Sequence, residues 1–350
     1  MTRIYLIRHA EAEGNLYRVA HGWHNGLITN DRGYRQIDAL RRRFQEVDID
    51  AVYASDLYRT QLTARAIWLP KALPLHLEPA FREIHMGVWE DRTWHELNVQ
   101  YPEEMYHFNR RVDLFRVEGG ETAQDVLDRY IPALHRIGAA HDGGTVAVFS
   151  HGAALRIVLG TLQGVPLSDI GDTPHGDNTA VSLLIWDNGE LRVEYRDDNS
   201  HLTAEGLSTF ARQSWWRSAK MVESGEDYAP LPPQLRPRFQ VPDGGEAVGI
   251  RKDEAFIGAF QLLPDDEPDA GRLGWYWLDP AWRGKGLGVA PMGQVLSHFR
   301  RQGVSLLRLS CGDRDLRRFF ARLGFYPLDG DTMEKDIRVA LPPIPQEYRP

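Results

Sequence analysis

The chain has 350 residues, 42% hydrophobic and 26% charged, which is enough for two domains that each bury a core. A formal net charge of -8 gives no bulk attraction to nucleic acid, and the single cysteine, Cys311, excludes an internal disulfide. No apolar run reaches the ~18 residues of a membrane span, and "MTRIYLIRHA" lacks the apolar core of a signal peptide, so a cytoplasmic protein is expected.

In chain order, "RIYLIR", "DAVYAS" and "TVAVFS" read as buried strands. "YRQIDALRRRF", "LYRTQLTARAI" and "TAQDVLDRYIPALHRIGAA" read as helices, with apolar residues spaced by three and four. The basic run at Arg41 falls on a solvated helix face. Strands alternating with helices predict an α/β domain with a mostly parallel sheet covered on both faces. "AVSLLIWDNGELRVEYRDD" predicts a hairpin around Asn188 and Gly189. A helical segment over 203–222 then leads into a stretch with prolines at 230, 232, 233, 237 and 242, read as an extended connection. Beyond it come three strand-like runs, a helix from about Gly288 to Arg301, the strand "SLLRLS" and the helix "DLRRFFARL". The expected division is a first domain over 1–202, a connection over 203–244 and a smaller α+β domain over 245–340.

In an open parallel sheet, ligands sit beyond the carboxyl ends of the strands. Arg8 and His9 follow the first strand, and His151 follows "TVAVFS". A third strand leads through Ser55 and Asp56 into a helix with Arg59 in its first turn, where unpaired amides favour anions. Arg8, His9, Arg59 and His151 together describe a pocket for a dianionic phosphate. A neutral imidazole can accept a phosphoryl group if one ring nitrogen is held as N–H and the other faces phosphorus. The leaving alkoxide needs a proton, and Glu83 in "FREIHMGVWED" is the best candidate to supply it. His21, His24, His85, His95, His107 and His175 read first as structural or exposed, with a place at the substrate entrance as the alternative for some of them, and no metal-ligand spacing occurs.

"RHAEAEGN", "GWHNGLITNDRGYRQIDAL", "YASDLYRTQLTA", "REIHMGVWE" and "FSHGAALRIVLG" resemble, in order, the motifs of the histidine phosphatase superfamily. Ala10 stands where that family usually has glycine. The resemblance implies a three-layer phosphoglycerate-mutase-like fold and His9 as the phosphorylated nucleophile. It further implies that Arg8, Asn15, Arg59 and His151 hold the phosphoryl group, and that Glu83 is acid and then base. The implied substrate is a small phosphorylated metabolite, with no metal and no cofactor. Trp89, Glu90 and "GGET" at Gly119 look more like the broad-specificity and alpha-ribazole phosphatases than the mutases. Hydrolysis is therefore expected, with phosphoglycerate mutase chemistry as the alternative. Trp23, Trp89, Trp94, Tyr101 and Tyr106 suggest an aromatic pocket wall.

"LDPAWRGKGLGVAPMGQVL" places Arg283, Gly286 and Gly288 at a helix start, where backbone amides can approach a pyrophosphate. With "SLLRLSCGD" and "DLRRFFARLGFYP" following, this region resembles the GNAT acetyltransferases over about 245–338. The resemblance implies a mixed, splayed sheet and acetyl-CoA held by Arg283, Gly284, Lys285, Gly286 and Gly288, with an unidentified amine as acceptor. The family's first strand is not evident. Phe320 stands where many of these enzymes have the tyrosine that protonates the departing thiolate, Asp313 stands where an asparagine is frequent, and Asp279 is the sole base candidate near its strand. An active acetyltransferase and a regulatory CoA-binding module both remain open.

Overall fold

The computed structural model describes residues 1–24, 26–28, 31–209, 226–252 and 254–338. The first sheet contains β1 (Thr2–Arg8), β2 (Ala51–Ala54), β3 (Leu75–Leu77), β4 (Thr145–Ser150), β5 (Val181–Asp187) and β6 (Glu190–Asp198), in the order β3-β2-β4-β1-β5-β6. β1, β2, β3 and β4 are parallel, and β5 and β6 add an antiparallel edge. Asn188 and Gly189 both take positive φ (49° and 88°), which the tight turn between β5 and β6 requires.

Side chains alternate across β1. Ile4 and Leu6 join one core cluster, together with Tyr130 and Leu134 of α6 (Ala123–Ala140) and Val158 of α7 (Gly152–Leu162). Tyr5 and Ile7 join the other, with Leu40 of α2 (Asp31–Arg43) and Ile67 of α3 (Tyr58–Trp68). Burial on both faces explains the near-continuous apolar strands. The register pairs Arg8 with Ser150, so β1 and β4 end abreast and deliver His9 and His151 side by side. Short helices α1 (Glu13–Tyr17), α4 (Trp94–Gln100) and α5 (Pro102–Arg110) build up this carboxyl-end side, and α8 (Ser200–Thr203) follows β6.

The helix expected over 203–222 lies largely outside the described residues, and 204–209 are not helical. The second sheet then begins inside the proline-bearing stretch. β7 (Glu226–Pro230) pairs with β8 (Glu246–Lys252), and β9 (Ala255–Pro264), β10 (Ala270–Leu278), β11 (Leu306–Ser310), β12 (Tyr326–Pro327) and β13 (Thr332–Asp336) complete the order β12-β13-β11-β10-β9-β8-β7. Pro230 is tolerated because it ends an edge strand. β10 and β11 run parallel from Ala270/Leu306 to Leu273/Leu309, where their pairing stops while β10 continues. α9 (Ala290–Arg301) and α10 (Arg314–Arg322) pack on this sheet through Met292, Val295, Leu296, Phe299 and Phe320. Tyr17 and Val19 of the first domain belong to that same core.

Candidate active site

His9 is 5% exposed, and its Nδ1 lies 2.7 Å from the carbonyl oxygen of Ala10. A carbonyl can only accept, so Nδ1 carries the proton and Nε2 keeps its lone pair. Burial, then the nearby charges of Arg59 and Arg8, hold the His9 imidazole well below the ordinary histidine range. The ring is therefore neutral at physiological pH. The His151 ring stands 5.4 Å away, fully buried, with Nε2 2.9 Å from Ser55 Oγ. Its Nδ1 has no hydrogen-bond partner among the described residues.

Arg8, His9, Asn15, Arg59 and Glu83 line one cavity of about 150 Å³. His151 is not among the lining residues, although its ring packs beside that of His9. Arg59 spans the site in the first turn of α3, donating to the carbonyls of Gly22 (2.7 Å) and His24 (2.8 Å). Burial lowers its guanidinium to about 10, which leaves it cationic at neutral pH. Arg8 donates to the carbonyl of Gly176. Asn15 Oδ1 accepts from the Ala12 amide (3.1 Å) and from Asn178 (3.3 Å), and Asn178 also donates to the His9 carbonyl (3.1 Å). The Glu83 carboxylate accepts from the amides of Ile84 (3.0 Å), Ala153 (3.1 Å) and Ala154 (2.8 Å). These bonds hold it at the start of α7, whose Gly152 and Ala153 also line the cavity.

Glu90 does not face the cavity. Its two oxygens accept from the amides of Trp23, His24 and Met86, tying the loop over 22–24 to the segment that carries Glu83. Trp89 is fully buried in the core and Tyr106 is exposed, so of the five aromatics expected at the wall Trp94 is the one that lines it. Phe108 stacks on Trp94 (5.6 Å), and Met86, Val112, Phe115, Ile157 and Ile170 continue an apolar outer wall. His21 and His175, read from the sequence as structural or exposed, also line the cavity, and His175 Nδ1 lies 3.5 Å from Arg8. Arg18, left-handed at φ 60°, lines it too. None of these follows a strand end in a recognisable motif, which is why spacing alone does not find them.

In the second domain the segment from Arg283 to Gly288 lies between β10 and α9. Gly284 (φ 73°) and Gly286 (φ 81°) adopt the left-handed backbone, with no atom within 4 Å of where a side chain would begin. Such an open, glycine-turned loop at a helix start fits a pyrophosphate. Lys285 lies over the Trp282 ring and Arg283 donates to the Leu278 carbonyl. Phe320 is 2% exposed and packs against Tyr276 and Phe325. Asp313 caps α10 through the Leu316 amide, and Asp279 accepts the Ala281 amide.

Residues 4–199 match the model of the histidine phosphatase superfamily (branch 1), and residues 210–325 match that of the acetyltransferase (GNAT) family. The chain belongs to the histidine phosphatase superfamily and carries a GNAT domain after the phosphatase-type domain. It is 32% identical to phosphoserine phosphatase 1 of Hydrogenobacter thermophilus over 171 residues, 48% of this chain and 79% of that protein. It is 31% identical over 221 residues to a protein of Escherichia coli O1:K1 / APEC named probable phosphoglycerate mutase GpmB, covering 61% of this chain and all of that one. Among solved structures, Bacillus stearothermophilus YhfR superposes with a TM-score of 0.56 at 29% identity, over 58% of this chain and 100% of that chain. No described helix is long and apolar enough to cross a membrane.

Proposed function

We propose that the first domain is a metal-independent phosphomonoesterase that works through phosphorylation of His9. The observation that carries this reading is the bond from His9 Nδ1 to the Ala10 carbonyl, which turns a neutral Nε2 lone pair into a cationic, buried cavity. Arg8, Arg59 and Asn15 bind the phosphoryl oxygens from the cavity lining. The buried His151, its ring beside His9 and its Nδ1 without a partner among the described residues, donates to the oxygen seated deepest against His9. Nε2 attacks phosphorus, the N–P bond forms as the ester P–O bond breaks, and the Glu83 carboxyl passes its proton to the leaving oxygen. Glu83, now a carboxylate, takes a proton from water. The resulting hydroxide attacks phosphorus, the P–N bond breaks and His9 returns to its neutral form. The apolar outer wall suits a small phosphorylated metabolite whose body is partly apolar.

The second domain is read as an N-acetyltransferase with an amine acceptor. Acetyl-CoA, when bound, supplies an activated acetyl thioester. The backbone from Arg283 to Gly288 would hold its pyrophosphate, with the Lys285 ammonium adding charge. Phe320 has no proton to donate, so protonation of the leaving thiolate falls to another group or to water.

Phosphate release from a panel of phosphorylated metabolites, measured in EDTA for the parent and for His9→Ala, tests the first reading. Release by the parent that the substitution abolishes is expected. Equal release by both proteins would remove His9 as nucleophile. Isomerised phosphoglycerate without free phosphate would assign mutase chemistry instead.

A further inference from the structure

One face of α9 lies against the first domain. Gly293, Gln294, Ser297, Arg300 and Arg301 fall on a single helical stripe. A Cβ on Gly293 would come within 2.0 Å of the Tyr17 carbonyl oxygen, so the helix backbone rests directly on α1. Gln294 donates to Thr93 Oγ1 (2.8 Å), Ser297 to the Asp91 carbonyl (2.7 Å) and Arg301 to Glu96 (2.6 Å). The Tyr17 hydroxyl donates to the Leu323 carbonyl (2.6 Å).

Arg300, 3% exposed, forks between two acids of the first domain. One terminal nitrogen reaches Asp91 at 3.1 Å and the other reaches Glu13 at 3.2 Å, while Nε donates to the Ile337 carbonyl (2.6 Å). Lys335, on β13, takes the second Glu13 oxygen at 2.7 Å. Two acids of one domain and two bases of the other thus meet away from water, where each is tolerable only while paired.

Neither acid lines the cavity, but each sits on a segment of its wall that does. Glu13 opens α1, which carries Asn15. Asp91 begins a segment that runs beside residues 18–20, with Asp91 N–H on the Ala20 carbonyl, Ala20 N–H on the Arg92 carbonyl and Trp94 N–H on the Arg18 carbonyl (2.8, 2.8 and 2.9 Å). Gly14, Asn15, Arg18, Val19 and Trp94 line the cavity from the inner side of that wall. α9 supports it from the outer side.

We propose that Arg300, together with Lys335, is a positioning residue of the phosphatase. By gripping Glu13 and Asp91 it sets α1 and the His9–Asn15 loop at the reacting distance, so the GNAT domain is an integral part of the hydrolase rather than a tethered neighbour. The inference rests on the phosphohistidine reading of His9.

The test is steady-state hydrolysis of para-nitrophenyl phosphate by the full chain and by Arg300→Gln, Arg300→Lys, Arg301→Ala and His9→Ala, with circular dichroism to verify folding. Arg300→Gln is expected to lower kcat about tenfold or more, since small misplacements of reacting groups are costly. KM should stay within about threefold, because Arg8 and Arg59, the charged phosphate ligands, come from β1 and α3, and only the neutral Asn15 rides on α1. Lysine should restore part of the loss, and Arg301→Ala should keep the parent kcat. Parent-like kcat in Arg300→Gln, or an equal loss in Arg301→Ala, overturns the proposal. If the glutamine variant does not fold, the lysine variant decides: reduced kcat in a folded protein supports the grip, and parent-like kcat refutes it. If His9→Ala matched the parent, the phosphatase reading itself would fall and this inference with it. That result is distinct from an inactive His9→Ala beside a fully active Arg300→Gln.

Discussion

The Glu83 carboxylate accepts the amide N–H of Ala154 at 2.8 Å and that of Ala153 at 3.1 Å. α7 begins one residue after His151, so a single helix start fixes both the second histidine and the carboxylate proposed as acid and base. Replacing Glu83 by glutamine preserves the shape but removes the transferable proton. An alkyl phosphate, whose leaving oxygen needs that proton, should be hydrolysed about 10²–10⁴-fold more slowly. Nitrophenolate departs without protonation, so phosphorylation by para-nitrophenyl phosphate should survive while hydrolysis of the phosphoenzyme slows. Rapid mixing of Glu83→Gln should then show a burst of nitrophenolate. Equal losses for both esters and no burst would contradict the assigned role.

The histidines make stability pH-dependent with a definite sign. Burial is the leading cause that puts His9, His21, His151 and His175 well below the ordinary 6.5. Unfolded, they take up protons as pH falls through 6.5, and folded they do not. Their stabilising effect is complete above 6.5 and lost as pH drops below it. Asp91, pushed up from 3.8 to about 6 by burial, acts oppositely, adding stability as pH falls through 6, and so offsets part of the loss. Thermal unfolding between pH 7.5 and pH 5 (about one unit above and below the histidine range) should show Tm falling on the acid side. A Tm that rose instead would contradict neutral burial of the four rings. The acid limb of kcat/KM should likewise lie below the usual histidine pKa.

Because Tyr17 and Val19 share a core with Phe260, Leu296 and Phe299, the two domains should unfold together. Calorimetry should show one cooperative transition. Gly293→Ala, which presses a methyl group onto the Tyr17 carbonyl, should lower the unfolding free energy by roughly 1–3 kcal/mol and shift that single transition down in temperature. Two separated transitions, or no effect of the alanine, would refute a shared core.

Gly286 tests the acetyl-CoA loop. Its φ of 81° with open space around it means that a side chain meets backbone strain rather than crowding, at a cost of roughly 1–2 kcal/mol. Gly286→Val should re-aim the loop amides and weaken acetyl-CoA binding in titration calorimetry. Unchanged affinity would contradict a pyrophosphate cradle there.

Of the residues proposed to bind phosphate, Arg8, His9, Arg59 and His151 are legible in the sequence because each belongs to a strand end or to the first helical turn after one. Asn15 is reached only through the family resemblance. His9 and His151 announce themselves by ending apolar runs, Arg59 by its place in the first turn of the helix after a third strand, and the register of β1 on β4 sets the two histidines abreast. The outer wall is not legible. Phe108 and Ile157 come from helices whose apolar stripes look like ordinary core, and burial and pocket lining share one hydrophobic signal. β7 escaped because prolines mask a short edge strand. The cluster of Glu13, Asp91, Arg300 and Lys335 leaves no local trace at all, since its partners lie in different domains and pair only through the tertiary fold.

The most direct measurement is capture of the phosphoenzyme. The protein is mixed with a hydrolysable phosphomonoester, quenched in alkali and mapped by mass spectrometry, with His9→Ala in parallel. A single acid-labile phosphoryl group on His9, absent from the variant, is the result the account predicts. Phosphate release with no phosphohistidine at His9, or the same modification in both proteins, would contradict it.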